Sequence, residues 1–322
     1  MGSHFVKYIL NKYPDYTVVN FDKLTYAGNL DNLKEIVDNP KYKFVKGDIC
    51  DVDAVDKAVK ENEIDVIINY AAETHVDRSV MDPIAFLKTN IFGTYNLLEA
   101  VKKFNLKKMI QISTDEVFGS VEDGLFSESS PFAPSSPYSA AKAGGDLLCH
   151  SYWTTYQTPV VVTHSCNFYG PNQYPEKLIP LFVTNLLEGK KVPVYGDGKN
   201  VREWIYVDDH CDAIDTVLHK AEPGSVYNIG SGNEIENIEI TKLILEYLEA
   251  GEEMIEYVKD RPGHDRRYAI DASKIKKELG WEAKVDFKEG LKKTVEWYTA
   301  NEWWWKKLKD GSYMEYYQRQ YK

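Results

Sequence analysis

Cysteine is scarce in this sequence. Its 322 residues include only Cys50, Cys149, Cys166 and Cys211. None of them stands in a CxxC pair or in another spacing typical of metal ligands, so neither a disulfide framework nor a metal site is predicted. We expect buried free thiols, as in a protein of the reducing cytosol.

Long apolar runs and excess positive charge are also absent. No run approaches the length that spans a bilayer and no signal peptide is visible, so we expect a cytoplasmic protein that does not bind membranes. The 39 Lys and Arg against 50 Asp and Glu give a net charge of −11, which argues against binding to nucleic acid. A nucleotide ligand is still compatible with this charge, because helix amino termini and local cations can hold a diphosphate.

The third absence is a glycine-rich turn near the start. Apolar residues at helical spacing, Phe5, Val6, Ile9 and Leu10, predict an amphipathic helix directly after Met1-Gly2-Ser3. A dinucleotide-binding fold normally places a strand and a glycine-rich turn before this helix. We therefore expect a chain that is truncated at its amino terminus, with a gap in the sheet where the first strand would lie. A leftover expression tag is the other interpretation of Met-Gly-Ser-His.

The segments that follow predict an α/β fold. Short apolar or β-branched runs at 17–22, 42–45, 65–72, 108–112 and 159–166 alternate with helical patterns, which indicates a doubly wound parallel sheet. The chain length favours one large dinucleotide-binding domain and a smaller mixed α/β lobe that binds the substrate. Asp22 ends the second predicted strand about twenty residues after Gly2, where an acid accepts hydrogen bonds from the adenosine ribose and favours NAD over NADP.

The most informative stretch is Ser113-Thr114-Asp115-Glu116, directly after the predicted strand 108–112. Open α/β sheets bind ligands at this carboxyl edge. Asp115 and Glu116 are two titratable groups that can divide acid and base roles between them, which a simple alcohol dehydrogenation would not need.

Tyr138 and Lys142 lie four residues apart after a Pro- and Ser-rich loop, on one face of a predicted helix. An ammonium beside a phenol favours the phenolate and brings a weak base toward neutral pH, which suits removal of a proton from a sugar hydroxyl. Alone, this spacing is equally typical of a surface helix. Its combination with the strand-end acids favours a catalytic site.

These motifs resemble the extended short-chain dehydrogenase/reductases and, within them, the dTDP-glucose 4,6-dehydratases. The resemblance extends over nearly the whole chain, through 71–79, 113–119, 138–142, 169–171, 175–180 and 260–268. It implies NAD as cofactor, dTDP-glucose as substrate and a homodimer built from the helix after Asp82-Pro83 and the helix of Tyr138. It also identifies Gly2 as the last glycine of the dinucleotide turn.

The resemblance implies roles for many residues. The expected catalytic residues are Thr114, Asp115, Glu116, Tyr138 and Lys142. The expected cofactor contacts are Gly2, Asp22, Lys23, Leu24, Thr25, Asp48, Ile49, Ala71, Ala72, Thr89, Tyr138 and Lys142. The expected substrate contacts are Thr74, Thr114, Asn167, Lys177, Leu178, Pro193, Tyr195, Arg202, Asn237, Arg261 and His264. The cations among them suit a diphosphate, and Tyr195 offers a flat face to a base.

Two positions depart from the family pattern. Phe168 replaces the second of two successive asparagines, and His164 stands where an arginine is usual. Asn167 can still contact the substrate, but a polar contact to the cofactor is lost at Phe168.

The implied reaction forms a 4-keto-6-deoxy sugar with loss of water. Tyr138, assisted by Lys142, takes the C4 hydroxyl proton while a hydride leaves C4 for NAD, and Thr114 hydrogen-bonds the C4 oxygen. Glu116 then removes the C5 proton, and a protonated Asp115 protonates the departing C6 hydroxyl. The hydride finally returns to C6.

Three alternatives stay open. UDP-sugar 4-epimerases share the Tyr/Lys pair but lack Asp115-Glu116, and GDP-mannose 4,6-dehydratases carry the Glu without the Asp and usually use NADP. The third alternative is a non-catalytic nucleotide-binding protein.

We assign residues 1–170 to the NAD-binding domain, and 171–322 mainly to the nucleotide-sugar lobe with some segments returning to the first domain. An aromatic tail follows, with Trp303, Trp304, Trp305, Tyr313, Tyr316, Tyr317 and Tyr321. We expect this tail to pack on the small lobe.

Overall fold

The first half of the chain alternates strands and helices. The structure is a computed structural model that describes residues 1–309, 311, 313, 317 and 320. Its elements up to residue 165 are α1 (Gly2–Lys12), β1 (Val18–Asp22), β2 (Tyr42–Lys46), α2 (Val52–Glu61), β3 (Val66–Asn69), α3 (Val76–Met81), α4 (Pro83–Leu87), α5 (Thr94–Phe104), β4 (Lys108–Thr114), α6 (Pro137–Tyr156) and β5 (Val160–Ser165). Single 3₁₀ segments at Leu30–Ile36 and Asp115–Phe118 and a π-helical turn at Lys88–Gly93 complete this half.

The second half contains shorter strands between helices. Its elements are β6 (Asn167–Tyr169), α7 (Leu178–Leu187), β7 (Val192–Tyr195), β8 (Val201–Tyr206), α8 (Val207–Lys220), β9 (Val226–Ile229), β10 (Glu234–Glu236), α9 (Asn237–Tyr247), β11 (Ile255–Val258), α10 (Ser273–Leu279), α11 (Phe287–Ala300) and α12 (Glu302–Lys306), with a 3₁₀ segment at Glu252–Met254.

Parallel pairing dominates, as predicted for an α/β fold. The main sheet has the order β3-β4-β5-β9, and β1 pairs with β2 in a separate parallel sheet. Among the described residues no ladder joins β1 to β3, so these two strands belong to separate sheets, and the gap left by a missing strand stays a prediction. Two small sheets, β10-β8-β6 and β11-β7, belong to the second half.

The division of the chain at residue 170 stays a prediction. Strand β9, from the second half, pairs with β5 in the main sheet. This pairing is one segment of the kind that we expected to return to the first domain.

The burial of β5 explains its composition. All six of its residues, Val160 to Ser165, are buried, and a strand covered on both faces favours a continuous β-branched run. Helix α6 begins sharply because Ser136 and Ser139 form a capping box and Pro137 occupies the first turn.

The helix predicted after Asp82-Pro83 is not uniform, and that prediction is corrected. Its middle is the π-helical turn Lys88–Gly93. In this turn Asn90 pairs with both main-chain groups of Glu73 at 3.0 Å, an interaction with the end of the neighbouring strand that helical spacing does not reveal. The apolar side chains of this region also differ in burial, since Leu98 and Val101 are fully buried while Ile84 is 55% exposed.

The aromatic tail packs on the protein where it is described. Trp304, Trp305 and Tyr313 are buried, and the Tyr313 hydroxyl donates to the Pro175 carbonyl at 3.1 Å. Trp303 is exposed. Tyr316 and Tyr321 lie outside the described residues.

All four cysteines are free, and Cys149, Cys166 and Cys211 are buried, as predicted, whereas Cys50 is only partly buried. Across the part of the chain that the structure describes, no helix has the length and apolar character required to cross a membrane.

Candidate active site

The carboxyl end of β4 carries three of the predicted catalytic residues. The Thr114 hydroxyl accepts a hydrogen bond from the Glu116 main-chain N–H at 3.3 Å and donates one to Asp115 Oδ1 at 3.2 Å. Asp115 is only 2% exposed, and its Oδ2 has no hydrogen-bond partner among the described residues. The Thr114 hydroxyl therefore caps the 3₁₀ segment and contacts the predicted acid at the same time.

The electrostatics of the two acids agree with a protonated Asp115. Burial, with the neighbouring charges of Glu116 and Glu203, raises the pKa of Asp115 well above its usual range. Burial also raises the pKa of Glu116, but Arg261, Arg202 and Lys177 oppose that rise. The cations favour the carboxylate form at Glu116 and therefore its use as a base.

Tyr138 and Lys142 lie in the first turns of α6, and both are buried. Lys142 Nζ donates to the Ile112 main-chain carbonyl at 2.6 Å, which fixes the ammonium at the end of β4. The expectation that the phenol titrates near neutral pH is wrong for this protein chain. Burial and the charge of Glu116 raise the pKa of Tyr138 well above its usual range, while a hydrogen bond with Thr114 works to lower it.

A buried polar cluster lies behind this pair, and sequence reasoning assigned it no role. The Ser113 hydroxyl donates to Asp146 Oδ2 at 2.5 Å, and His164 Nε2 lies 3.4 Å from the same oxygen. Ser113 and His164 are register partners on β4 and β5. Asp146 follows Lys142 by one turn of α6 and raises the pKa of Lys142, against the larger lowering that burial causes. The signals in the sequence were the spacing from Lys142 to Asp146, the place of Ser113 beside the strand-end acids and the unusual His164.

The predicted cofactor residues gather at the carboxyl ends of β1, β2 and β3. Asp22 ends β1, and its Oδ1 accepts from the Leu24 N–H at 2.7 Å. Lys23 pairs with Asp48 at 2.6 Å. Ala71 and Ala72 follow β3. The carboxyl edge of parallel strands is where α/β sheets bind ligands, so these residues are candidates for contact with an extended ligand.

The other predicted cofactor residues lie around this edge. Thr25 accepts from the Gly28 N–H at 2.9 Å through its carbonyl oxygen, and Thr89 works to lower the pKa of the Cys50 thiol, against the larger rise that burial causes. Ile49 is buried against Gly93, where an added Cβ would lie 2.4 Å from Ile49 Cδ1. Gly2 begins α1, and an added Cβ there would meet Tyr70 Cβ at an ordinary 3.5 Å.

A cavity of about 160 Å³ lies between these edges and the second half of the chain. Glu116 lines it, together with nine of the eleven predicted substrate residues: Asn167, Lys177, Leu178, Pro193, Tyr195, Arg202, Asn237, Arg261 and His264. Thr74 and Thr114 are the two that do not line it. Thr74 instead accepts a 2.7 Å hydrogen bond from Lys177 Nζ through its carbonyl oxygen.

The cavity is lined by cations that ion pairs and hydrogen bonds keep in place, and by polar atoms that have no partner among the described residues. Arg261 pairs with Asp77 at 3.0 Å, and Arg202 donates to the Asp265 carbonyl at 2.9 Å. Asn167 Oδ1, Asn237 Oδ1 and Arg261 Nε are buried without a hydrogen-bond partner in the described part of the chain. Since buried polar atoms are normally satisfied, these three indicate a polar ligand.

His264 contacts the rim of this cavity. Its Nδ1 lies 2.6 Å from Asp260 Oδ1. Burial, with the charges of Arg261 and Arg202, lowers the pKa of His264 to about 4. His264 is therefore neutral near pH 7 and offers a hydrogen bond rather than a charge.

Comparison with known proteins identifies the family. Residues 1–294 match the family model described as GDP-mannose 4,6 dehydratase. A dTDP-glucose 4,6-dehydratase from Streptomyces niveus is 52% identical over 91% of this chain and 86% of its own length. The chain belongs to the dTDP-glucose 4,6-dehydratase family.

Two further known proteins are similar over almost the full chain. The low-salt glycan biosynthesis protein Agl12 of Haloferax volcanii is 51% identical over 94% of this chain and 96% of its own length. The crystal structure of DesIV, a dTDP-glucose 4,6-dehydratase from Streptomyces venezuelae with NAD and TYD bound, superposes with a TM-score of 0.93 at 47% identity. That match covers 95% of this chain and 96% of DesIV.

Three residues of the site received no role from the sequence. Asp77 holds Arg261 and accepts from the Tyr195 hydroxyl at 3.0 Å. Glu176 binds Arg78 at 2.9 Å and accepts from the Tyr26 hydroxyl at 2.9 Å. Glu203 is one of the charges that raise the pKa of Asp115. Asp77 and Glu176 lie within motifs shared with the dTDP-glucose 4,6-dehydratases, which was their only sequence signal.

Proposed function

We propose that the protein converts dTDP-glucose to dTDP-4-keto-6-deoxyglucose and water, with NAD as a cofactor that is restored within each turnover. The observation that carries this proposal is the pair Asp115-Glu116 at the end of β4, beside Tyr138 and Lys142. Burial and neighbouring charges favour a protonated Asp115, while three cations support an ionised Glu116. Such a pair can supply an acid and a base for loss of water.

The residues fit NAD at the edge of the two parallel sheets. Asp22 offers a carboxylate at the end of β1, and Ala71 and Ala72 leave room for a backbone to lie close after β3. A carboxylate at the position of Asp22 accepts from ribose hydroxyls and repels a ribose phosphate. When bound, NAD would accept the hydride of C4 and return it to C6.

The protein's own residues would move the protons. Tyr138, one helical turn before Lys142 on α6, receives the C4 hydroxyl proton as a base. The C4 ketone makes the C5 proton acidic, and Glu116 takes it. Asp115 protonates the departing C6 hydroxyl, and Glu116 returns its proton to C5 after the hydride has reached C6.

The cavity supports a nucleoside diphosphate sugar as substrate. Lys177, Arg202 and Arg261 converge on it, and cations of this kind hold a diphosphate. Tyr195 lines the same cavity and offers a ring to the base. Asn167 and Asn237 supply the unpaired amide oxygens for ligand hydroxyls or the base.

The alternative functions differ from the proposed one in whether they require Asp115 and Glu116. A UDP-sugar 4-epimerase needs only the Tyr/Lys pair, so the buried Asp115, whose pKa burial raises, supports a dehydratase. The family model bears the name of GDP-mannose 4,6 dehydratase, whereas Asp22 and Asp115 support the dTDP-glucose and NAD assignment. A non-catalytic binding protein would have no need for four buried titratable groups, Asp115, Glu116, Tyr138 and Lys142, around the end of β4.

Incubation with dTDP-glucose and, separately, UDP-glucose tests the proposal. We expect the dTDP-glucose product to have lost one water by mass spectrometry and to absorb in the near ultraviolet after addition of alkali, because its ketone enolises. An epimer, or unchanged dTDP-glucose, would contradict the proposal. Conversion of UDP-glucose alone would contradict the choice of base.

We also propose a cytoplasmic homodimer. Apolar side chains that belong to the helices from α4 to α6 are exposed, among them Ile84, Leu87, Phe92, Tyr95 and Leu147. A second copy of the chain would cover such a surface. The four free thiols support a reducing compartment, and the acidic net charge of −11 supports the absence of nucleic-acid partners.

A further inference from the structure

Asp77, on α3, places a carboxylate in the cavity that we assign to the nucleotide sugar, so this inference rests on the proposed function. Asp77 is 6% exposed and lines the cavity together with Arg261 and Tyr195. A carboxylate repels the phosphates of such a ligand. Its presence in the cavity therefore requires a role that outweighs this repulsion.

Both oxygens of Asp77 hold residues of the predicted substrate site. Oδ1 accepts a hydrogen bond from the Arg261 guanidinium at 3.0 Å, and Oδ2 accepts one from the Tyr195 hydroxyl at 3.0 Å. Tyr195 ends β7, and its register partner Val258 ends β11, shortly before Arg261. The carboxylate therefore joins a helix from the first half of the chain to the ends of two paired strands from the second half.

The charge state of Asp77 agrees with these contacts. Burial works to raise the pKa of Asp77, but the charges of Arg261 and His75 and the hydrogen bonds from Arg261 and Tyr195 lower it below its usual range. Asp77 is therefore ionised near pH 7 and accepts from both donors. An ionised acceptor forms stronger hydrogen bonds than a neutral one.

The two contacts restrain the direction in which each partner faces a ligand. The guanidinium is planar, so a bond to one terminal nitrogen restrains the whole group. Arg261 Nε is buried and has no hydrogen-bond partner in the described part of the chain, which leaves this donor for a phosphate oxygen. The bond to Asp77 likewise restrains the ring of Tyr195, whose hydroxyl also accepts from Gln320 at 2.6 Å.

We propose that Asp77 is a positioning residue that fixes the separation between the base subsite at Tyr195 and the diphosphate subsite at Arg261. A nucleoside diphosphate fills both subsites at once and gains from a separation that is set in advance, because less ordering is needed on binding. Thymidine and inorganic pyrophosphate each fill one subsite and gain little from it. Asp77 thereby selects ligands that carry a base and a diphosphate at the correct distance.

The test uses the NAD-loaded full chain with Asp77→Asn, which keeps the size of the side chain, removes its charge and replaces one accepting oxygen with an NH₂ group. Electrostatics alone predicts tighter binding of every anion, because a repelling charge is gone. Positioning predicts the opposite for dTDP. Loss of a charge-assisted hydrogen bond in a buried site should raise the Kd of dTDP about tenfold or more. In titration calorimetry the Kd of pyrophosphate should fall or stay the same, and that of thymidine should stay the same.

Turnover separates positioning from a general loss of structure. Asp77→Asn should raise KM for dTDP-glucose with little change in kcat, because the lost contacts act on substrate and transition state alike. The matched control is Asp197→Asn, since Asp197 pairs with Arg266 at 2.8 Å and both side chains are exposed. This control should leave KM and kcat unchanged.

A second variant, Tyr195→Phe, keeps the ring and removes the hydroxyl that Asp77 holds. It should weaken the binding of dTDP and leave that of thymidine nearly unchanged, and it provides the test if Asp77→Asn does not fold. In the double variant the loss of dTDP affinity should be smaller than the product of the two single losses, because both changes remove the same contact.

The outcomes separate the positioning role from the proposed function. Binding of dTDP without any keto sugar from the unaltered chain would overturn the proposed function, and the binding series would still decide the role of Asp77. Normal turnover by the unaltered chain, with dTDP bound by Asp77→Asn as tightly or more tightly, would overturn the positioning role alone. A fall in kcat at constant KM, or single losses that multiply in the double variant, would do the same.

Discussion

Lys142, which lies one helical turn after Tyr138, donates a 2.6 Å hydrogen bond from its Nζ to the main-chain carbonyl of Ile112. The ammonium is thus held at the end of β4. Burial lowers the pKa of Lys142 and raises that of Tyr138. Burial of the Lys142 cation and of a phenol that must ionise therefore costs free energy.

Lys142→Ala removes that cation, so we expect a higher pKa of Tyr138 and failure of the first hydride transfer at neutral pH. A base acts in its deprotonated form, and a higher pKa moves activity to more alkaline solution. The measurement is the rate of nicotinamide reduction against pH, with the exposed Lys102→Ala as the control. An unchanged pH profile would remove Lys142 from the mechanism.

Asp115→Asn should separate oxidation from loss of water. The amide cannot donate a proton as the carboxylic acid does, so elimination should slow by the usual general-acid factor of roughly 10²–10⁴. Bound reduced nicotinamide should then accumulate, which near-ultraviolet absorbance detects. Elimination as fast as in the unaltered protein would mean that another group is the acid.

Glu203→Gln tests how Asp115 is kept protonated. Glu203 raises the pKa of Asp115 through its charge. An acid with a raised pKa keeps its proton to higher pH and loses activity as the pH rises through that value. Removal of the Glu203 charge should lower the pKa of Asp115, so the alkaline limb of dehydration should move to lower pH.

The control for that variant is Glu234→Gln. Glu234 is another acid, and it pairs with Arg267 at 2.6 Å. This variant should leave the alkaline limb in place. Equal pH profiles for the unaltered protein and Glu203→Gln would show that burial and Glu116 suffice to keep Asp115 protonated.

Phe92→Glu should weaken the proposed homodimer. Phe92 is 62% exposed on the helical stretch between α4 and α5, and a charge there opposes burial against a second copy. Light scattering after size-exclusion chromatography should show a dimer for the unaltered chain and a monomer for the variant. Val37→Glu, at a residue that is 63% exposed elsewhere, should stay dimeric, and a monomeric unaltered chain would refute the proposal.

Local sequence patterns predicted much of the fold and site. Helical spacing found α1 and the Tyr138/Lys142 face, and apolar runs found β4 and β5 with the acids at the strand end. These features depend on neighbours along the chain. The resemblance then supplied nine substrate residues that the structure places around one cavity.

Long-range contacts were beyond that reasoning. The pairing of Asn90 with Glu73 that accompanies the π-helical turn, the Lys142 bond to Ile112, and the charge of Glu203 near Asp115 all join distant segments. The pKa of Tyr138 was predicted in the wrong direction because spacing reports a neighbouring cation but not the degree of burial.

The most direct test of the proposed reaction follows one hydrogen atom. dTDP-glucose that carries deuterium at C4 is incubated with the NAD-loaded protein, and the product is analysed by NMR. We expect one deuterium in the C6 methyl group, because the hydride removed from C4 is returned to C6 within the same site. Deuterium that stays at C4, or that is lost to solvent, would contradict it.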